Sequence, residues 1–178
     1  QSDRHSAKKS INSINDNIGD YDIYSFNFSL LQNNTNDFLY PTNGTSNRIF
    51  FEYSPKDLSD DSYYKIILKS DIYRQFENSN RFLFFSNDFG FAESLEGKLS
   101  TVNAFSLGGL NFKGFDYRGV GPKQDNIYLG GNKLFTSTIG YGGSFLFDDS
   151  DNINTKLFYS LGSIWDSDYT NENKFDVR

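Results

Sequence analysis

Six segments of this chain alternate apolar and polar side chains with a period of two, at 21–31, 46–54, 63–73, 81–91, 133–147 and 155–165. That period fits a β-strand with one apolar face and does not fit a helix. In the first segment Tyr24, Phe26, Phe28 and Leu30 fall opposite Ser25, Asn27 and Ser29. In the next two, Ile49, Phe51 and Tyr53 oppose Arg48 and Glu52, and Tyr64, Ile66, Leu68 and Ile72 oppose Lys65, Lys69 and Asp71. The fourth sets Leu83, Phe85, Phe89 and Phe91 against Ser86, Asp88 and Gly90, with Phe82 and Phe84 interrupting the split. The last two set Phe135, Ile139, Tyr141, Phe145 and Phe147 against Thr136, Thr138, Gly140, Gly142 and Ser144, and Leu157, Tyr159, Leu161 and Trp165 against Lys156, Ser160 and Gly162.

An all-β chain of 178 residues is expected to form one domain. Two architectures accommodate six such antiparallel strands. A soluble β-sandwich would turn the apolar faces inward. A transmembrane β-barrel would turn them toward lipid and leave Ser, Gly, Thr and charged residues in the lumen. Strand length favours the barrel, since a tilted membrane strand needs roughly nine to eleven residues against a usual mode of about five or six. So does the alternation of short and long connections. Tyr21, Tyr63, Tyr73, Phe91, Phe147 and Trp165, near strand ends, suit interfacial aromatic girdles.

Composition narrows the function. Aromatic residues make up 18% of the chain, which excludes a disordered segment. A net charge of −6 argues against a nucleic-acid partner, and the absence of Cys removes disulfides and thiolate metal sites. No apolar run is long enough for a membrane helix. No signal peptide is expected in the polar opening, with at most a short helical piece about Ser6–Ile14. The chain starts without Met and stops in mid-pattern, so a piece of a longer protein is expected.

Chemistry-bearing constellations are sparse. His5 is the only histidine and lies in the polar opening, so a nucleophilic triad has no well-placed base. Asp148-Asp149-Ser150-Asp151 lacks the length and spacing of a calcium loop. Gly140-x-Gly142-Gly143 lies within a strand and has no following helix, so it is no dinucleotide loop, and its glycines are expected to make room for a neighbouring loop. No enzyme activity, metal or cofactor is expected.

The longest stretch without a strand pattern, about 93–132, contains Leu107–Lys123, where five glycines mix with aromatic, leucine and cationic side chains. A loop this long is functional or disordered, and this composition is too apolar for a solvated linker. It is expected to fold back against the strands that flank it.

This stretch resembles a motif of the BamA family of outer-membrane assembly factors, the bacterial surface antigens. In that family the sixth extracellular loop carries Gly-Gly, then Arg-Gly-Phe or Arg-Gly-Tyr, then Gly-Pro. Here Gly108-Gly109, Phe112-Lys113-Gly114-Phe115 and Gly121-Pro122-Lys123 stand at that spacing. Tyr40-Pro41-Thr42-Asn43-Gly44 is similar to the family's periplasmic turn, Gly130-Gly131-Asn132 to the return from the loop, and Leu161-Gly162-Ser163-Ile164-Trp165-Asp166 to a strand end.

The resemblance implies six strands of a sixteen-stranded outer-membrane barrel whose POTRA domains and remaining strands lie outside this chain. It also implies that the loop is extracellular and braces the lumen through Phe112, Lys113, Gly114 and Phe115, with Arg118 nearby. The function implied is insertion and folding of β-barrel proteins in the bacterial outer membrane. Unfolded barrel clients, outer-membrane lipids and assembly lipoproteins would be the partners, with no cofactor. A two-partner secretion transporter shares the same barrel and loop. The family's motif arginine pairs with acidic residues on the two following strands, whereas this chain has Lys113, Gly140 and Ser160 at those places. A bidentate Arg–carboxylate clamp is therefore not available, and Asp88 and Glu52 are the candidate partners for Lys113.

Overall fold

A computed structural model of the chain describes residues 22–77, 79–144, 155–170 and 175–177. The expected helical piece, His5, Tyr21, Phe145, Phe147 and the acidic turn from Asp148 lie outside the described residues. Six long strands form one antiparallel sheet: β1 (Phe26–Asn33), β2 (Gly44–Ser54), β3 (Tyr63–Gln75), β4 (Phe82–Ser94), β7 (Lys133–Gly143) and β8 (Thr155–Trp165). They pair in the order β1-β2-β3-β4-β7-β8. Two short strands, β5 (Lys123–Gln124) and β6 (Ile127–Tyr128), form a ribbon within the long loop. Its turn residues Asp125 and Asn126 both have positive φ, 46° and 66°, as a tight hairpin turn requires.

The first strand begins later than its alternation predicts, because residues 22–24 have another partner. Asp22 donates its N–H to the Asp60 carboxylate (2.9 Å) and Tyr24 to the Ser59 hydroxyl (2.9 Å). β2 ends at Ser54, so no ladder continues beside them. At the opposite end of the sheet, side chains close the β1–β2 turn. The Asn36 carbonyl accepts from Thr42 N–H (3.0 Å) and Asn43 N–H (2.9 Å), and the Asp37 carboxylate accepts from Leu39 (2.7 Å) and Tyr40 (2.8 Å). Those two amides hold the Asp37 carboxyl below its usual range, the Tyr40 contact having the larger effect.

Register makes the apolar alternation continuous across strands. Leu30, Ile49, Leu68, Phe89 and Phe135 form one row, and Ile72, Phe85, Ile139 and Tyr159 another. Leu30, Leu68, Phe89, Ile139 and Tyr159 are all exposed. No second sheet covers this face among the described residues, so the sandwich alternative is not what forms. Large side chains in an uncovered apolar band are what a lipid-facing wall presents. One row on this face is polar: Gln32, Asn47, Ser70, Asn87 and Ser137. Asn47 donates to Gln32 (2.8 Å) and Ser70 to Asn47 (2.7 Å), which satisfies those groups without water.

The other face corresponds to the lumen. Phe82 and Phe84 point here with Tyr73, and Phe82 is only 3% exposed. Tyr63 and Tyr73 were expected in an interfacial girdle, but strand parity places both on this inner face, where Tyr63 is buried.

Candidate functional site: the loop docked on the inner face

Residues 95–132 fold back onto the inner face, and the main apolar core of the chain lies between loop and sheet. Leu99, Phe105, Leu107, Phe112 and Val120 come from the loop and pack with Tyr63, Ala92 and Ile164 of the wall. Burying side chains of this size stabilises by about 1.5–3 kcal/mol each, which offsets part of the entropy cost of ordering an irregular segment. Glycines in the wall shape the seat. A Cβ on Gly90 would stand 2.6 Å from the Phe105 ring, and one on Gly162 would stand 3.0 Å from Leu107 and 3.1 Å from Phe112. At the loop's return, a Cβ on Gly131 would lie 2.4 Å from the Trp165 carbonyl. The Lys65 ammonium sits 5.0 Å from the Phe105 ring centroid, a cation–π contact on the same seat.

Within the loop, the motif glycines serve the backbone. Leu107 and Val120 form an isolated antiparallel bridge. Gly108 has φ 129°, and a Cβ there would meet the Asp116 carbonyl at 2.1 Å. Its N–H donates to the Asn111 side chain (2.9 Å), and Gly109 N–H donates to the Phe115 carbonyl (2.9 Å). Gly114 and Gly121 also have positive φ, 90° and 115°. Pro122 is buried, and its carbonyl accepts from Leu129 N–H (3.0 Å). The structure thus brings Gly108, Gly109, Phe112, Gly121 and Pro122 into one docked body. Phe115 stacks on Phe112 with centroids 5.2 Å apart and remains partly exposed.

Lys113 lies at the edge of this body, exposed, on the rim of a cavity of about 300 Å³ that Asp88, Thr136, Thr138, Lys156 and Ser160 also line. It makes no ion pair among the described residues. Asp88 shares the cavity but pairs with Lys69 on the neighbouring strand (3.2 Å). Glu52 is not a partner either: it accepts from the Tyr63 hydroxyl (2.9 Å). Ser160 shares a 2.8 Å hydrogen bond with Thr138. Gly140 does not make room for the loop as expected. Its Cβ position lies 2.3 Å from the Phe84 ring, and that of Gly142 lies 2.4 Å from the Phe82 ring. Rings from the adjacent strand fill both places, and the Lys156 ammonium lies 5.6–5.8 Å from their centroids.

Two anchoring residues, Asp168 and Asp61, have no sequence signal. Asp168, beyond the last strand, accepts from Leu99 N–H (2.8 Å) and from the Asn132 side chain (3.1 Å). The Asp61 carboxylate accepts from the Asn103 side chain (2.6 Å). Arg118 turns inward within the loop, its Nη2 donating to the Thr101 carbonyl (3.0 Å) and the Leu129 carbonyl (3.4 Å).

This arrangement agrees with comparison to known proteins. Among solved structures, BamA from Haemophilus ducreyi lacking POTRA domains 1–3 superimposes with a TM-score of 0.73 at 20% sequence identity. The match covers 89% of this chain and 35% of that chain, and it carries the architecture: an antiparallel sheet forming part of an open barrel wall. The Omp85 superfamily domain matches the sequence over residues 1–178. The chain belongs to the Omp85 superfamily.

Proposed function

We propose that the chain is part of one bacterial outer-membrane barrel domain that inserts and folds other β-barrel proteins into that membrane, with the loop at 107–123 bracing the lumen. The observation that supports this reading is the position of the core. Most of the buried apolar side chains lie between the loop and the inner face, while the outer face is left for lipid. The resemblance to the BamA family supplies the clients, unfolded outer-membrane β-barrels, and the further partners, outer-membrane lipids and assembly lipoproteins. The work is non-enzymatic: backbone hydrogen bonding at strand edges and a locally altered bilayer. A net charge of −6 leaves nucleic acid without a place in it.

The test is reconstitution of the full-length protein in lipid vesicles, with a urea-unfolded outer-membrane barrel as client. Client folding is expected to accelerate relative to empty vesicles. A Lys113→Cys/Ser160→Cys pair, which lines one cavity, is expected to be bridged by a short thiol cross-linker. Unchanged client folding would overturn the assembly function, and an absent cross-link would overturn the bracing loop.

A further inference from the structure

Three stretches of the loop converge on Arg118. The two carbonyls that its Nη2 meets lie 17 residues before it and 11 after it. Thr101 stands between Leu99 and Phe105, which enter the core. Leu129 begins the return through Gly130 and Gly131, and Gly131 bridges to Phe105. The Arg118 backbone lies two residues from Val120, which bridges to Leu107. One side chain therefore ties the entry, the tip and the exit of the loop. Arg118 has φ 57°, a left-handed conformation that is uncommon for a residue with a Cβ. Gly130, φ 80°, lets the return segment approach the entry segment, since a Cβ there would stand 2.5 Å from the Phe105 carbonyl.

Lys113 offers no such network, since its rim position is exposed and unpaired among the described residues. The chain carries no carboxylate at positions 140 and 160 to hold a lumen-facing cation. We propose that Arg118 is the positioning residue that keeps the loop docked, by fastening its segments to one another in place of an ion pair between loop tip and wall. The proposal rests on the reading of the loop as a brace. Both bonds come from one nitrogen, and Nε is buried with no hydrogen-bond partner. A lysine ammonium in the same place can therefore serve part of the role, whereas a methionine of similar length cannot.

Amide hydrogen exchange in the full-length protein, held in lipid nanodiscs, tests this. In Arg118→Met the amides of Phe105, Val120 and Gly131 are expected to exchange on the order of ten- to a hundredfold faster, as the loss of about one full charge-assisted hydrogen bond implies, the second contact being long at 3.4 Å. Amides between β2 and β3 are expected to stay protected. Arg118→Lys is expected to restore most of the loop protection, and Lys113→Met to leave it unchanged. Unchanged loop exchange in Arg118→Met, or an equal effect from Lys113→Met, would overturn the proposal. Should Arg118→Met fail to fold, the comparison is made between Arg118→Lys and Arg118→Gln, where equal protection also overturns it. Client folding on the same samples separates the two readings. A loosened loop with undiminished client folding removes the brace and leaves Arg118 as the clamp, whereas a loop still protected in Arg118→Met removes the clamp whatever the clients do.

Discussion

The inner face uses glycine in two ways at its two ends. Near the loop, Gly90 and Gly162 form seats for Phe105, Leu107 and Phe112, side chains that arrive from a remote segment. At the opposite end, Gly140 and Gly142 form seats for Phe84 and Phe82, which stand directly across the ladder in register. Both positions have the same sequence signature, a glycine on the polar side of an alternating strand. The difference lies in how far away the occupant starts. Cross-strand rings over glycine are fixed as soon as two strands pair, whereas the remote occupants depend on the whole loop being in place. One end of the wall is therefore held locally, and the other is held by a remote segment that must dock as a unit.

The comparison can be broken most sharply at Phe112. Truncation of a buried aromatic costs about 3–5 kcal/mol, so Phe112→Ala is expected to free the loop while β4, β7 and their Phe–Gly contacts stay paired. Limited proteolysis would show cleavage between 95 and 132 with the strands intact. Gly140→Ala is expected to act at the other end. Its new Cβ would press on the Phe84 ring at 2.3 Å and on the Leu157 carbonyl at 2.8 Å, and overpacking of this kind costs about 1–3 kcal/mol. A lower thermal midpoint with unchanged loop exchange is the expected result, and a loosened loop would show the two ends to be coupled. Smallest is Lys113→Ala, which is expected to change stability by no more than about 0.5 kcal/mol, since the side chain is exposed and makes no ion pair among the described residues. A thermal midpoint depressed as far as that of Phe112→Ala would return the anchoring role to the loop tip.

The strands were legible because alternation is local. Thr155–Trp165 matches its predicted bounds, and the start of Tyr63–Gln75 was placed correctly. Phe82 and Phe84 looked like noise in the pattern, yet they are inner-face aromatics whose seats lie on a neighbouring strand. The docking of the loop was legible as composition, but its contacts were not. Leu99, Phe105 and Val120 follow no period, and Asp168 reaches Leu99 from 69 residues away. Gly140 misled because a glycine states only that space is needed and not what fills it. Arg118 was placed near the lumen residues without a role, since its partners are backbone carbonyls, which every residue possesses.

The loop's seat also has a consequence for the order of events in folding. Tyr63, Ala92, Leu134 and Ile164 come from four strands, and β7 must pair with β4 across the loop before any such surface exists. That pairing bears the closure entropy of the long loop before any docking contact offsets it. Phe105 finds its seat on Gly90 of β4, whereas Leu107 and Phe112 also need Gly162 of β8, and Ile164 completes the cluster. The apolar interior of this wall is therefore expected to be completed only once the hydrogen-bonded sheet extends through β8, the reverse of the collapse that begins the folding of a soluble domain.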